Sequence, residues 1–574
     1  MKKIFACALT LSLMGLGLSA QDLEDRNLPS GYRTDGILPE EYVDSTHVLL
    51  GEEEDTLLES IRGKWKRPLY RTPDPQFAED WAEIDGYEIP EWIKDAKFGM
   101  YTHWGVYSVP AHVGNTYIRN MYTPTARGGV ASKSNERTYS HHVETYGDPT
   151  EFGYTDFIPM FKAEKYSGED YVKLMMETGA RFGGLGCVHH DGFLMWDSDV
   201  NRWNVGEMGP HRDLYGEFVE AARKAGFKTL ASFHHARTWE FCKAFVDEDF
   251  YSRKDRKKLD LYDPANADFF WGMSGSRKYD VEEFARQWKA KIIEVTDRYE
   301  PDVLWFDGIQ RTEPNSPEAY LVEALKHYLL SLTEKGREPV LCNKLPSGGK
   351  SNYCHFNFPE NTGLPCYEGG RNMPPDVAGD WLTDRAISYP WGYVNGKVYK
   401  LTEDVHIHAL ADQVARGGIY LLSLTPMGSG EIAPAELAIC RGIGDWLKVN
   451  GEAIYSTRRW AIPAEGPVDF WALNEEREGV MWNYKVDPSE GAIRFTRSKD
   501  GDTVYAILLW WPEENEVLIR SMKSGSSYLK HPEISSVELI GSDAVLEWEQ
   551  TPEGLKVRLP AEKPCEHAYS LRIR

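Results

Sequence analysis

Four short segments of the 574-residue chain place reactive side chains directly after an apolar run. In PDVLWFDG (301–308), Asp307 follows Val303–Phe306 and precedes Gly308, so its carboxylate is pushed into an opening. Asp-Gly also makes a plain turn, so the segment alone is a modest signal. In CYEGGRN (366–372), Glu368 ends a strand-like run, and two glycines after it let the chain turn sharply. In CVHHDGFLMWDS (187–198), His189 and His190 are adjacent. On a regular strand they point to opposite sides, and a bend at the strand end brings both to a ligand. In AKFGMYTHWGVYSVPA (96–111), His103 is placed to offer an imidazole donor to a hydroxyl, or to bond to backbone as a structural residue. Two carboxylates on different strand ends suit glycoside hydrolysis. One attacks the anomeric carbon, and the other protonates the leaving oxygen and then activates water. A retaining enzyme needs them about 5–5.5 Å apart, with the acid's pKa raised by burial and by its anionic neighbour.

Such residues need a scaffold that collects strand ends. From residue 86 to 460, short apolar runs alternate with helical patterns, as in an α/β fold of the (β/α)8 TIM-barrel type. Candidate strands are Phe98–Thr102, Gly184–Val188, Thr229–Phe233, Val303–Phe306, Val340–Cys342, Leu364–Tyr367 and Ile419–Leu424. The C-terminal ends of barrel strands build active sites. One helix is plain in Asp213–Phe227. There Leu214, Phe218, Ala221, Ala222 and Ala225 recur at helical spacing, Pro210 precedes them, and Gly226 stands at the C-cap. From 461 to 574 the pattern becomes alternating short runs with turn clusters such as Ser498–Asp502, which predicts an all-β sandwich. Its expected role is packing or sugar binding.

Residues 1–20 read as a bacterial secretory signal: Lys2 and Lys3, an apolar stretch from Ile4 to Leu18, then Ser19-Ala20 for cleavage before Gln21. The expected location is the periplasm or the exterior. Residues 21–85 read as an N-terminal extension wrapping the main domain. No later segment resembles a membrane span, so no membrane insertion is expected. A net charge of −24 argues against nucleic acid or an anionic membrane as partner. The seven cysteines left after signal removal are scattered, form no CxxC pair, and read as buried free thiols. His103, His189, His190, His234 and His235 could cluster, but none has spacing typical of zinc, so no metal or other cofactor is expected. His406 and His408 form the chain's one His-x-His pair, in a predicted helix where they do not share a face.

Taken together, the motifs resemble glycoside hydrolase family 29, the α-L-fucosidases. The resemblance runs from about Glu91 to about Trp460. It adds YTDFIPMFKAEKY (154–166), WNVGEMGPHRDLYGEFVEAARKAGFK (203–228), WLTDRAISYPWGY (381–393) and ARGGIYLLSLTPMGSGEIAP (415–434) to the segments above. It implies a barrel followed by a β-sandwich, a glycan substrate, and a metal-free retaining double displacement. Asp307 carries over as nucleophile. His103, His189 and His190 match sugar-contacting histidines, and Trp305 and Trp391 match aromatics near the sugar ring. The acid/base position varies in the family; Glu368 is preferred and Glu360 is its rival. Several positions depart from the family pattern. Asn115 and Thr116 replace a Glu and a Trp that bind hydroxyls, and Tyr101 replaces a frequent Phe near the fucose methyl. Cys342-Asn343-Lys344 replaces Asn-Asp-Arg, and His234 and His235 replace frequent Tyr and Ser. These changes keep L-galactose, or a sulfated L-sugar met by Lys344, Arg371 or Arg385, as alternatives to L-fucose. A glycan-binding protein without turnover is a further alternative.

Overall fold

The computed structural model describes residues 82–84, 86–126, 133–273, 278–307, 318–344, 363–368, 380–466, 470–472, 483–486 and 488–574. The signal segment, all but the last few residues of the N-terminal extension, Glu360 and Arg371 lie outside them. Pro68–Glu368 with Gly379–Thr457 form one compact unit, and Arg458–Arg574 belong to a second.

In the first unit eight parallel strands close into a barrel in sequence order. They are β1 (Phe98–Thr102), β2 (Phe182–Val188), β3 (Lys228–Phe233), β4 (Val303–Phe306), β5 (Val340–Lys344), β6 (Leu364–Cys366), β7 (Trp381–Ala386) and β8 (Gly418–Leu424), with β8 pairing back onto β1. The intervening helices include α1 (Gly168–Glu177), α2 (Leu214–Ala225), α3 (Val281–Tyr299), α4 (Glu318–Glu334) and α5 (Glu403–Ala415), with α6 (Pro434–Asn450) after β8. Helix α2 starts at Asp213, whose side chain accepts from the Gly216 N–H, and stops at Gly226 in the left-handed conformation. Its buried face is Leu214, Tyr215, Phe218, Val219, Ala221 and Ala222, whereas Ala225 is exposed.

The barrel interior is packed rather than open. Leu230, Val303, Trp305, Cys342, Leu382 and Leu421 share one core cluster with Tyr101 and Phe182. Gly99 lets Phe182 enter it, since a Cβ there would stand 2.3 Å from the Phe182 ring. The two-residue period of a strand then fixes what lies above that core. Continuing each inward row puts His103 above Tyr101, Ser232 and His234 above Leu230, Asp307 above Trp305, and Ser423 above Leu421.

β7 was absent from the strands predicted by sequence. Its middle reads Thr383-Asp384-Arg385, and all three are buried. Asp384 points inward, where the Tyr101 hydroxyl donates to it at 3.4 Å and Cys366 Sγ lies 3.2 Å away. Arg385 takes the outward side, where its charge acts on His406 and Tyr420. The reading of Arg385 as a sugar-side anion partner is thereby corrected: strand alternation turns it to the helix layer.

The second unit holds a five-stranded antiparallel sheet and a three-stranded one over a shared apolar core. The first runs in order Val537–Leu539, Tyr569–Ile573, Val504–Leu508, Ile493–Arg497 and Arg458–Glu465; the second in order Glu516–Ile519, Gly554–Arg558 and Glu547–Thr551. This is the predicted sandwich, with two strands, Arg458–Glu465 and Ile493–Arg497, that alternation did not reveal.

His406, on α5, is a structural residue. Its Nε2–H donates to the Ile387 carbonyl at 3.1 Å, and its Nδ1 accepts from the Tyr420 hydroxyl at 2.8 Å. Burial, then the Arg385 charge, lowers its pKa to about 3. Between pH 6.5 and 3 the unfolded chain therefore takes up a proton that the folded ring refuses, so this stabilisation is lost as pH falls through that window. In His406→Gln the gap in unfolding free energy from wild type should shrink by about 2 kcal/mol between pH 7 and pH 5. Urea unfolding at both pH values reads it, and a gap independent of pH would contradict the assignment.

Candidate active site

Asp307 continues β4 by one residue, its N–H donating to the Phe233 carbonyl at 2.9 Å. It is 7% exposed. A buried carboxylate needs donors, and two imidazoles converge on its Oδ2: His234 Nδ1 at 3.2 Å and His190 Nε2 at 3.3 Å. The two contacts are chemically different. His190 Nδ1 lies 2.9 Å from the His234 carbonyl. A carbonyl only accepts, so this nitrogen carries the proton. Burial, then the nearby Arg237 charge, holds the His190 pKa well below normal. The neutral ring thus turns an unprotonated Nε2 toward the carboxylate. His234 has the opposite arrangement, with Ser232 Oγ 2.8 Å from Nε2 and Nδ1 directed at Asp307.

His103 and His189 line the same mouth. His103 Nδ1 lies 2.7 Å from Ser423 Oγ, and Ser423 donates onward to the Leu424 carbonyl at 3.3 Å. With the Ser423 hydroxyl given to the Leu424 carbonyl, His103 Nδ1 donates to Ser423 Oγ. His189 stacks on His234 with ring centroids 4.4 Å apart and meets Asn115 Nδ2 at 3.5 Å through Nε2. Its Nδ1 has no hydrogen-bond partner among the described residues. Burial and the neighbouring rings push its pKa well down. β2 ends at Val188, one residue before the pair, so both histidines reach the site.

Trp305 is fully buried, with its ring 5.5 Å from Tyr101 and 5.2 Å from His234. Trp391 packs on His103 at 4.4 Å. It is brought there by Gly114, where φ is +64° and a Cβ would stand 2.0 Å from the Trp391 carbonyl oxygen. The next residue, Asn115, donates its N–H to that oxygen at 2.9 Å, so one backbone contact sets both Trp391 and Asn115. Tyr101 is fully buried. Burial, then the Asp384 charge, drives its pKa well up, and the charges of Asp307 and Glu368 add to this. Glu368 is half-buried, two residues past β6. Lys344 is the last residue of β5, and its side chain lies outside the described set. Behind the histidines, Asp191 accepts from the Tyr154 hydroxyl at 2.8 Å, and burial lifts its pKa to about 6.

Among the described residues, two sets of ligand-type atoms lie within 4.8 Å of one another: His103, His189 and His234, and His190, His234 and Asp307. Both sets draw on His234, whose two ring nitrogens are engaged by Ser232 and Asp307. Either would hold a cation only by breaking one of those bonds.

A closed parallel barrel that gathers carboxylates, imidazoles and indoles at its C-terminal mouth is the architecture of a barrel glycoside hydrolase. The α-L-fucosidase family pattern matches residues 70–452, and the α-L-fucosidase C-terminal domain pattern matches 486–574. The chain belongs to the α-L-fucosidase family and is a glycoside hydrolase. It is 28% identical over 510 residues to mouse tissue α-L-fucosidase, covering 87% of this chain and 94% of the relative. It is 26% identical over 513 residues to human plasma α-L-fucosidase, covering 87% and 92%. Among solved structures it has the fold of Thermotoga maritima α-fucosidase in complex with fucose, with TM-score 0.61, 22% identity, and 86% and 99% coverage. It also has the fold of α-L-fucosidase isoenzyme 1 from Paenibacillus thiaminolyticus, with TM-score 0.57, 18% identity, and 86% and 99% coverage.

Gly114 and Gly226 share a left-handed backbone, but only Gly114 has an atom in the way of a side chain. Gly226→Ala is expected to cost about 1 kcal/mol. Gly114→Ala should cost clearly more, read by urea unfolding of both variants. Equal losses would contradict the Trp391 contact.

Proposed function

We propose that the protein releases terminal α-L-fucose from glycans by a retaining double displacement, with Asp307 as nucleophile and Glu368 as acid/base. The observation that carries this reading is the engagement of Asp307 Oδ2 by His234 Nδ1 at 3.2 Å above the barrel core. A donor there keeps the buried carboxylate charged and fixes its orientation. The other oxygen, Oδ1, attacks the anomeric carbon as the C–O bond to the aglycone breaks. Glu368, two residues past β6, protonates the departing oxygen. It then takes a proton from water as water displaces Asp307 from the sugar. Step by step, the sugar changes hands twice and its configuration is retained.

His103 and the Asn115–His189 pair are placed to hold sugar hydroxyls, and Trp391 offers an apolar face to the ring. Tyr101 bears on the choice of sugar. Its hydroxyl is already directed at Asp384, which supports a 6-deoxy sugar over one whose C6 oxygen would need that hydroxyl. Asp307 and His190 are each less than a tenth exposed, which suits a chain end over the middle of a polymer. Export through the N-terminal signal belongs to the same reading, and a mature chain beginning at Gln21 is its mark.

Asp307→Ala should lower turnover of an aryl α-L-fucoside by at least about 1,000-fold, with partial rescue by azide. Glu368→Ala should lose about 100-fold or more on a fucoside with a poor leaving group and much less on an activated aryl one. Full activity of Glu368→Ala on the poor leaving group would pass the role to Glu360.

A further inference from the structure

Ser232 sits two residues before His234 on β3 and is fully buried. Among the described residues the hydrogen-bond partner of its Oγ is His234 Nε2, at 2.8 Å. His234 Nδ1 faces Asp307 Oδ2 at 3.2 Å. As a neutral ring His234 carries one proton, on Nε2 or on Nδ1. If Nε2 keeps it, Nδ1 turns a lone pair toward a carboxylate. His190 does the same from its side, because its own proton is committed to the His234 carbonyl. Asp307 Oδ2 would then face a lone pair on each ring, an unfavourable contact. If Ser232 donates to Nε2, the proton stays on Nδ1 and points at Asp307.

We infer that Ser232 is a positioning residue: its hydroxyl fixes the His234 tautomer that donates to Asp307, and so sets the charge and aim of the carboxylate. The histidine pair cannot do this unaided, since His190 is locked in the other sense. This deepens the reading of Asp307 as nucleophile and rests on it for its kinetic consequence, though not for the tautomer itself.

The test has two parts. Solid-state NMR of nitrogen-15 histidine-labelled protein reads the tautomer without substrate, with the His234 signal assigned by its loss in His234→Asn. Wild type should show Nδ1 protonated, and Ser232→Ala should show a mixture or the Nε2 form. In kinetics, Ser232→Ala should lower kcat/KM for an aryl α-L-fucoside by about 10- to 100-fold, the usual scale for removing a residue that orients a working side chain. Most of the loss should fall in kcat. Ser232→Cys, similar in size and a weak donor, should lie between the two. In His234→Asn, whose amide donates without a tautomer, adding Ser232→Ala should cost little further activity. An unchanged tautomer in Ser232→Ala, or an equal kinetic loss in the His234→Asn background, would overturn the inference. Absence of fucoside turnover by wild type would count against the proposed function and leave the tautomer reading intact.

Discussion

The site depends on keeping one carboxylate charged where water barely reaches. Burying an ion without partners is expensive enough that the group would protonate instead, and a protonated Asp307 could not attack carbon. The remedy in the account proposed above is an oriented donor, His234 Nδ1–H, and several neighbours bear on the ring that carries it. Ser232 holds the far side of the ring. His189 stacks on its face. Trp305 closes the space below it. His190 spends its own proton on the His234 backbone, which ties the loop after β3 to the loop after β2.

The barrel supplies this arrangement through strand geometry. Parallel strands in a closed ring deliver every second residue inward, and the residue just past each strand end inherits its row. Asp307, His234, His103 and Ser423 are all products of that rule. Asn115 and Trp391 do not come from strand rows. They arrive by a loop contact that requires a residue without a side chain at Gly114.

Much of this was legible in the sequence because apolar strands are short and clean. β1 and β4 coincide with the predicted runs, and the positions of His103 and Asp307 followed from them. What escaped notice is polar and buried. β7 carries Asp384 and Arg385 in its middle, one facing the core and one the helix layer, and such a strand has no apolar signature. Ile493–Arg497 was missed for the same reason, since Arg494 is fully buried within it. Ser232 reads in sequence as filler inside a strand. Its role depends on the His234–Asp307 contact, which exists only once β3 and β4 are paired. The sense of each histidine, donor or acceptor, is likewise a property of its neighbours.

The central claim is that Asp307 forms the bond to the sugar. The most direct measurement is to inactivate the enzyme with 2-deoxy-2-fluoro-α-L-fucosyl fluoride, digest it, and locate the label by peptide mass. A 2-fluorofucosyl adduct on Asp307 is the predicted result. An adduct on another carboxylate, or steady turnover of fucosides with no covalent adduct formed, would contradict it.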